Sequence, residues 1–382
     1  MTLSRAVPSP GSTQLRFSGR SGAAPQVVLV LGGGNALGAY LAGAWEQLDE
    51  HGFRPYRIVG ASIGAVTGAI LAGNAPEDRL GRLKAFWSEA TLHTPLPSPA
   101  DRLGRQLYNG AHVALTLALG RPGIFGHRFP GLWSILPGVP NDVALYDHTQ
   151  MRHTLERLVD FDRLNRAGTR LTVACADLET GGDVYFDNTR DEIRPEHILA
   201  STALAPLFPP VKIGGRLLCD PGYVNNLPLG PVFDPAPEED LLCVAIDLFG
   251  LRSPGPESLD ATLERAEDMV FASAGRRLVE ALRREYALRK ELRPDGPRIR
   301  LLHLAYRAAG HELAAKTLDF SPSSIRDRWA AGQRDAACGL ALLDDIRPGP
   351  RFEYISVDPR SACAGAEGGS EPVSAPVLHR VA

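Results

Sequence analysis

Gln26-Val27-Val28-Leu29-Val30-Leu31-Gly32-Gly33-Gly34 is the stretch that decides the fold. A continuous, β-branched apolar run suits a strand buried on both faces, and such strands belong to parallel sheets. The run stops on glycines, and a helical pattern follows over about residues 37–51. A second short strand, residues 56–59, breaks at Gly60 into a helix of small residues that runs to about Gly73. Strand, glycine turn and helix, twice in succession, specify an α/β sheet with parallel strands.

Working outward, strand signals return at residues 171–176, 183–186, 216–219, 241–247 and 300–304. Asp147 reads as the N-cap of a helix through Leu158, and further helices are expected over 261–293 and 321–343. Residues 95–141 read as irregular around one apolar stretch, 111–119, and so as a cap or mobile loop over a site. Residues 1–25 carry Ser, Gly, Pro and Arg without a continuous apolar run, which predicts a disordered leader rather than a signal peptide. Residues 346–382 are expected to fray. No internal repeat is found.

Composition excludes several classes. The 382 residues are 44% hydrophobic and 22% charged, enough for a full core without disulfide or metal support. A net charge of −3 leaves no electrostatic footprint for nucleic acid. Only four of the 41 basic residues are Lys (Lys84, Lys212, Lys290, Lys316), an excess of Arg for which codon bias is the plainest reading. Five scattered cysteines show neither a disulfide framework nor metal-ligand spacing, so no metal or organic cofactor is expected and a cytoplasmic location fits. The longest apolar candidate for a membrane span, residues 63–73, is too short.

Gly60-Ala61-Ser62-Ile63-Gly64 is the one G-x-S-x-G of the chain, placed between strand and helix where a nucleophile elbow belongs. The flanking glycines, Gly60 and Gly64, remove side chains that would clash in the sharp turn, and the helix N-terminus favours developing negative charge. The turn Gly32-Gly33-Gly34-Asn35-Ala36-Leu37-Gly38 has a spacing one residue longer than the dinucleotide fingerprint. It also lacks the acidic residue that would follow the second strand. Backbone N–H groups forming an oxyanion hole are the better reading beside a nucleophilic Ser. For the base, two arrangements stay open: His303 or His311 in the order Ser…Asp…His, or Asp220 in Cys219-Asp220-Pro221-Gly222. Taken by itself, Asp-Pro-Gly reads as a turn.

Together these pieces resemble the patatin-like phospholipase family. The resemblance rests on the glycine turn, the G-x-S-x-G, and the Asp turn followed by Asn225-Asn226-Leu227-Pro228. It is closest to a bacterial subgroup with similar stretches at residues 31–43, 194–211 and 319–335, and spans about residues 26–345. It implies a three-layer α/β fold with a central, mostly parallel sheet. The acyl hydrolase domain would span 26–235, with a helical C-terminal extension over 236–345 packed on it. It further implies a Ser62–Asp220 dyad without histidine, an oxyanion hole at Gly33, Gly34 and Asn35, and a lipid or other acyl ester as substrate. Two positions depart from the family pattern: its third glycine is Asn35, and its Asp-Gly is Asp220-Pro221. Rival readings are an esterase with a His base, or a non-catalytic lipid- or protein-binding descendant. Peripheral membrane contact would fall on the basic second half of the 261–293 helix.

Overall fold

The computed structural model describes residues 25–95, 97–166, 168–250, 252–253, 255–344 and 351–357. The chain opens with β1 (Gln26–Leu31), whose glycine turn leads through a short 3-10 turn, Asn35–Gly38, into α1 (Ala39–Glu50). Next come β2 (Arg57–Ala61), α2 (Ile63–Ala72) and α3 (Pro76–Ala90), the last with Pro at its first turn. α4 (Arg102–Leu119) follows, then a small antiparallel ribbon of β3 (Gly126–His127) and β4 (Tyr146–Asp147). The middle of the chain supplies α5 (Thr149–Leu158), α6 (Phe161–Arg166), β5 (Arg170–Asp177), β6 (Asp183–Asp187) and α7 (Pro195–Thr202). After β7 (Val211–Ile213) and β8 (Arg216–Cys219) lie two single turns, α8 (Gly222–Asn225) and α9 (Gly230–Phe233). The last third contributes β9 (Leu241–Asp247), α10 (Leu259–Leu292), β10 (Ile299–Ala305), α11 (Pro322–Asp344) and β11 (Phe352–Ser356).

The main sheet runs β11-β10-β9-β1-β2-β5-β8-β7, with β6 also on β5. From β11 through β5 all neighbours are parallel; β6 and β8 pair antiparallel with β5, and β7 pairs antiparallel with β8. The reason is legible in β1 and β9. Leu29, Leu31, Leu242, Val244 and Ile246 enter one hydrophobic core, while Val28, Val30, Leu241, Cys243 and Ala245 enter a second. Strand side chains alternate faces, so an unbroken apolar run fills cores on both sides of one sheet. Helices cover both faces, which gives the expected three-layer α/β fold.

Four expectations need correction. Residues 236–345 are not an extension packed on a finished domain, because β9 lies between β1 and β10 within the sheet. A boundary at 235 would remove the strand that covers one edge of β1. Within the tail expected to fray, β11 pairs with β10 from Ile299–Phe352 to His303–Ser356. Phe352 stacks on Tyr286 at 5.0 Å, and Arg300 pairs with Glu353 at 3.1 Å, so this edge is fixed by its side chains. The segment 95–141 contains an 18-residue helix, α4, capped by the Asp101 carboxylate and ended by Gly120 at φ 72°. Gly104, Asn109 and Gly110 inside it weaken the local helical signal. Cys338 is disulfide-bonded, which the cysteine spacing did not lead one to expect. The leader falls outside the described residues except for Pro25.

α11 is locked to α1 at backbone distance. A Cβ on Gly43 would run into the Trp329 carbonyl, and one on Gly332 into the Tyr40 carbonyl. Around this contact Tyr40 donates to Asp335 at 2.8 Å, and Trp329 Nε1 donates to Glu46 at 2.6 Å. Arg328, fully buried, pairs with Glu312 at 2.9 Å and donates to the carbonyls of Lys316 and Asp319. The stretch 319–335 is therefore the seam that binds the C-terminal third to the first βα unit. Gly332→Leu is expected to force the two helices apart and to cost on the order of 3 kcal/mol or more, read as a lowered Tm. An unchanged Tm would mean that the seam is not under this constraint.

Candidate active site

The first and second βα turns lie side by side because β1 and β2 pair in register up to Leu31 opposite Gly60. Beyond that pair, Ser62 takes φ 53°, ψ −125°, one of two non-glycine residues with positive φ among those described. Gly60 and Gly64 make this turn sterically feasible. A Cβ on Gly60 would sit 2.5 Å from the Gly64 carbonyl oxygen, and one on Gly64 would overlap the Leu31 carbonyl. The Ser62 N–H donates to Ser201 Oγ at 2.9 Å, and that hydroxyl donates to the Ala174 carbonyl at 2.6 Å. α7 thus pins the turn from the side. Ser201 was missed as a site residue, although it lies within the family-like stretch 194–211.

Asp220 reaches Ser62 because β8 crosses β5 only at its last residues, with Cys219 opposite Ala176. Its N–H donates to the Ala203 carbonyl at 3.1 Å. Its carboxylate accepts from Gly222 N–H at 2.7 Å, and the Ser62 side chain lies near enough to stabilise its charge. Pro221 occupies φ −76°, ψ 0° and leads into α8, so a residue with fixed φ fits the turn without strain. Burial pushes the Asp220 carboxyl up to about 7, and Ser62 and the Gly222 N–H only partly oppose it.

The glycine turn divides. Gly34 (φ 156°) and Asn35 (φ 50°) border the cavity over Ser62, and Asn35 supplies the left-handed geometry in place of the family's glycine. Gly33 serves a different purpose. Its N–H donates to the Asn226 carbonyl at 3.2 Å, and its own carbonyl accepts from Asn226 Nδ2 at 3.1 Å. A Cβ there would lie 2.5 Å from Asn226 Oδ1. Asn226, from the Asn-Asn-x-Pro stretch, therefore clamps the first turn to the Asp220 turn.

The cavity holds about 480 Å³ and is bordered by Ser62 and Asp220. Its apolar wall includes Met151, Leu204, Leu207, Phe208, Val270 and Phe271. Tyr223 and Val270 are partly exposed and border it too, so the cavity reaches the surface there. Three elements of the C-terminal third take part, through Phe249, the first half of α10 and the 3-10 turn Lys316–Leu318. A second carboxyl, Glu267, borders the cavity and is pushed up to about 7 by burial, against the partial relief given by Lys316.

The two histidines considered as bases are elsewhere. His303 is buried in β10 with Nδ1 2.8 Å from the Tyr354 hydroxyl. Burial alone would lower it, but Tyr354 and Asp247 outweigh that and hold it up at about 9. His311 lies 4.0 Å from Asp327, and neither ring borders the cavity. His148 does border it, stacked on Phe208 at 5.7 Å and kept neutral by burial. No local motif marks it. Among the described residues no group of side chains could hold a metal ion, and no helix is long and apolar enough to cross a membrane. The basic second half of α10 runs away from the cavity, where Tyr286 packs on Phe352 and Phe233.

The family profile described as patatin-like phospholipase matches residues 29–233, and one described as patatin phospholipase matches residues 265–347. An uncharacterized NTE family protein of Mycobacterium tuberculosis is 26% identical over 228 residues, 59% of this chain and 49% of that protein. Lysophospholipase NTE1 of Eremothecium gossypii is 26% identical over 206 residues, 53% of this chain and 11% of that protein. The chain thus matches about half the length of the mycobacterial relative and a small part of the fungal one. Among solved structures, VipD from Legionella pneumophila aligns at 15% identity and a TM-score of 0.41, covering 90% of this chain and 72% of that one.

The raised Asp220 carboxyl has a thermodynamic signature. The unfolded chain releases this proton near 4 and the folded chain near 7, so stability falls as pH rises between those values. Asp220→Asn removes that loss. The variant's gain in stability over wild type is expected to grow from pH 4 to pH 8, at about 1.4 kcal/mol per pKa unit at most. Denaturant unfolding at both pH values checks this, and an equal difference at both would contradict it.

Proposed function

We propose that this chain, which belongs to the patatin-like phospholipase family, is a serine hydrolase of lipid acyl esters working through a Ser62–Asp220 dyad. The observation that supports the reading is that Ser62, in its strained turn, and the buried Asp220 carboxyl border the same apolar cavity. A carboxylate is an ordinary general base only when its pKa approaches the working pH, and burial of Asp220 brings it there.

Ser62 Oγ attacks the ester carbonyl as its proton passes to Asp220. The negative charge that builds on the carbonyl oxygen meets the N–H groups of Gly34 and Asn35, together with that of Ile63 at the first position of α2. Gly33, engaged with Asn226, holds the turn rather than the oxyanion. Collapse of the intermediate gives the acyl-enzyme, with the proton on Asp220 delivered to the departing alcohol. Water, deprotonated by Asp220, then attacks the acyl carbonyl and returns Ser62. The apolar wall from Met151 to Phe271 accommodates the acyl chain. The matched relative named as a lysophospholipase supports a lipid ester over a small soluble one.

A fluorophosphonate probe is expected to label wild type and to leave Ser62→Ala unlabelled. Ester turnover in Asp220→Asn should fall by about 10²–10⁴-fold, while His303→Ala and His311→Ala retain it if folded. Turnover lost in a folded His148→Ala but kept in Asp220→Asn would replace the dyad by a histidine base. The rate should rise with pH through about 7 as Asp220 loses its proton. Glu267→Gln is expected to keep that limb, because Glu267 does not touch the Ser62 hydroxyl; a limb that vanishes in this variant would reassign the titration.

A further inference from the structure

Residues 106–119 of α4 contain no Asp, Glu, Lys or Arg, and neither do residues 129–141. Within the second stretch Phe129 is 84% exposed, Ile135 74%, Trp133 61% and Leu132 59%. Val143 follows, also largely exposed, and Leu115, Leu117 and Leu119 are exposed on α4. The charged pair in this region, Arg128 and Asp142, is internally neutralised at 2.8 Å. Single exposed apolar residues need no explanation, but a cluster of large ones with no net charge does.

The elements that carry the cluster are hydrogen-bonded to one another and to the cavity wall. The end of α4 is stitched to the β3–β4 ribbon by Tyr146, whose hydroxyl donates to the Leu117 carbonyl at 2.9 Å, and by the His127 ring on the Ala118 carbonyl. The ribbon in turn hydrogen-bonds to the cavity wall: Leu145 N–H donates to the Pro206 carbonyl at 3.1 Å and Tyr146 N–H to the Leu207 carbonyl at 2.8 Å. Ile124 and His148, just outside the two ribbon strands, border the cavity themselves. Tyr223, half exposed where the cavity reaches the surface, donates to Ala205, the neighbour of Pro206. The exposed tip and the opening over Ser62 therefore share one scaffold.

We infer that the tip at residues 129–143, with the exposed leucines at the end of α4, docks on a lipid bilayer surface and places the cavity against it. The inference rests on the acyl-ester reading of the same site, since a lipid must leave its bilayer to reach Ser62. A neutral tip carrying Trp133 and Phe129 suits the boundary between head groups and acyl chains, where aromatic rings concentrate. Its neutrality selects attraction by apolar burial over attraction to anionic lipid. The basic half of α10, which sequence alone made the docking element, does not border the cavity.

The test uses the full chain and vesicles of phosphatidylcholine. Wild type is expected to co-sediment, and Leu132→Asp with Ile135→Asp should weaken partitioning by about tenfold or more. Both side chains are exposed, so the variant should keep its Tm and its turnover of a soluble short-chain ester. Arg283→Glu with Arg284→Glu on α10 should partition as wild type does. A wild type that does not bind, or a tip variant that binds unchanged, overturns the inference. So does a wild-type dimer that the tip variant converts to monomer, because a second copy would then cover the surface. Vesicle binding without labelling of Ser62 supports the docking and overturns the hydrolase reading alone.

Discussion

The positive φ at Ser62 is the constraint around which the structure is arranged. A non-glycine residue held there costs on the order of 1–3 kcal/mol, and the surroundings must impose it. They do so by contact rather than by local preference. Gly60 and Gly64 let α2 start against β1, so closely that Gly64 has no room for a side chain beside Leu31. Ser201 accepts the Ser62 N–H, and Asn226 ties the neighbouring glycine turn to the turn that carries Asp220. Each restraint comes from a different element, and the sheet order brings those elements to the same ends of β1, β2 and β5.

A second constraint opposes folding at the same place. Asp220 is buried, with the Gly222 N–H and the nearby Ser62 side chain giving its charge only partial support, so its proton is held to about 7. Burial that lowers stability at neutral pH is also what makes this carboxylate basic enough to compete for a serine proton. The same apolar surroundings raise the carboxyl and, in the proposed reaction, accommodate the acyl chain. Its completion requires the C-terminal third, through Phe249, Val270, Phe271 and Leu318. The Gly43–Gly332 seam and the Arg328–Glu312 pair hold that third in place.

Much of this was legible in the sequence where the signal is local. The strand at Gln26–Leu31 and the elbow around Ser62 announce themselves by unbroken apolar runs and by glycine spacing. Asp220 needed the joint pattern, since alone it reads as a turn. Asn35 and Pro221, both departures from the family pattern, fit because Asn tolerates φ 50° and the turn after Asp220 needs only φ −76°. What stayed hidden depends on contacts between distant segments. His148 and Glu267 carry no mark in their own neighbourhoods, and Ser201 and Asn226 lie in family-like stretches that give them no role of their own; all four gain their roles only from what packs against them. β11 sits in a stretch whose composition suggests a loose end, and α4 is masked by its internal glycines. The surplus of Arg has no structural explanation.

The claim on which the account turns is that the reaction passes through an ester of Ser62. Acid quenching during the first turnovers of an ester substrate, followed by peptide mapping with mass spectrometry, observes it directly. The account predicts the mass of the acyl group on the peptide containing Ser62, formed in a burst and lost as product appears. An acyl group on another residue, or turnover with no covalent adduct at any quench time, would contradict it.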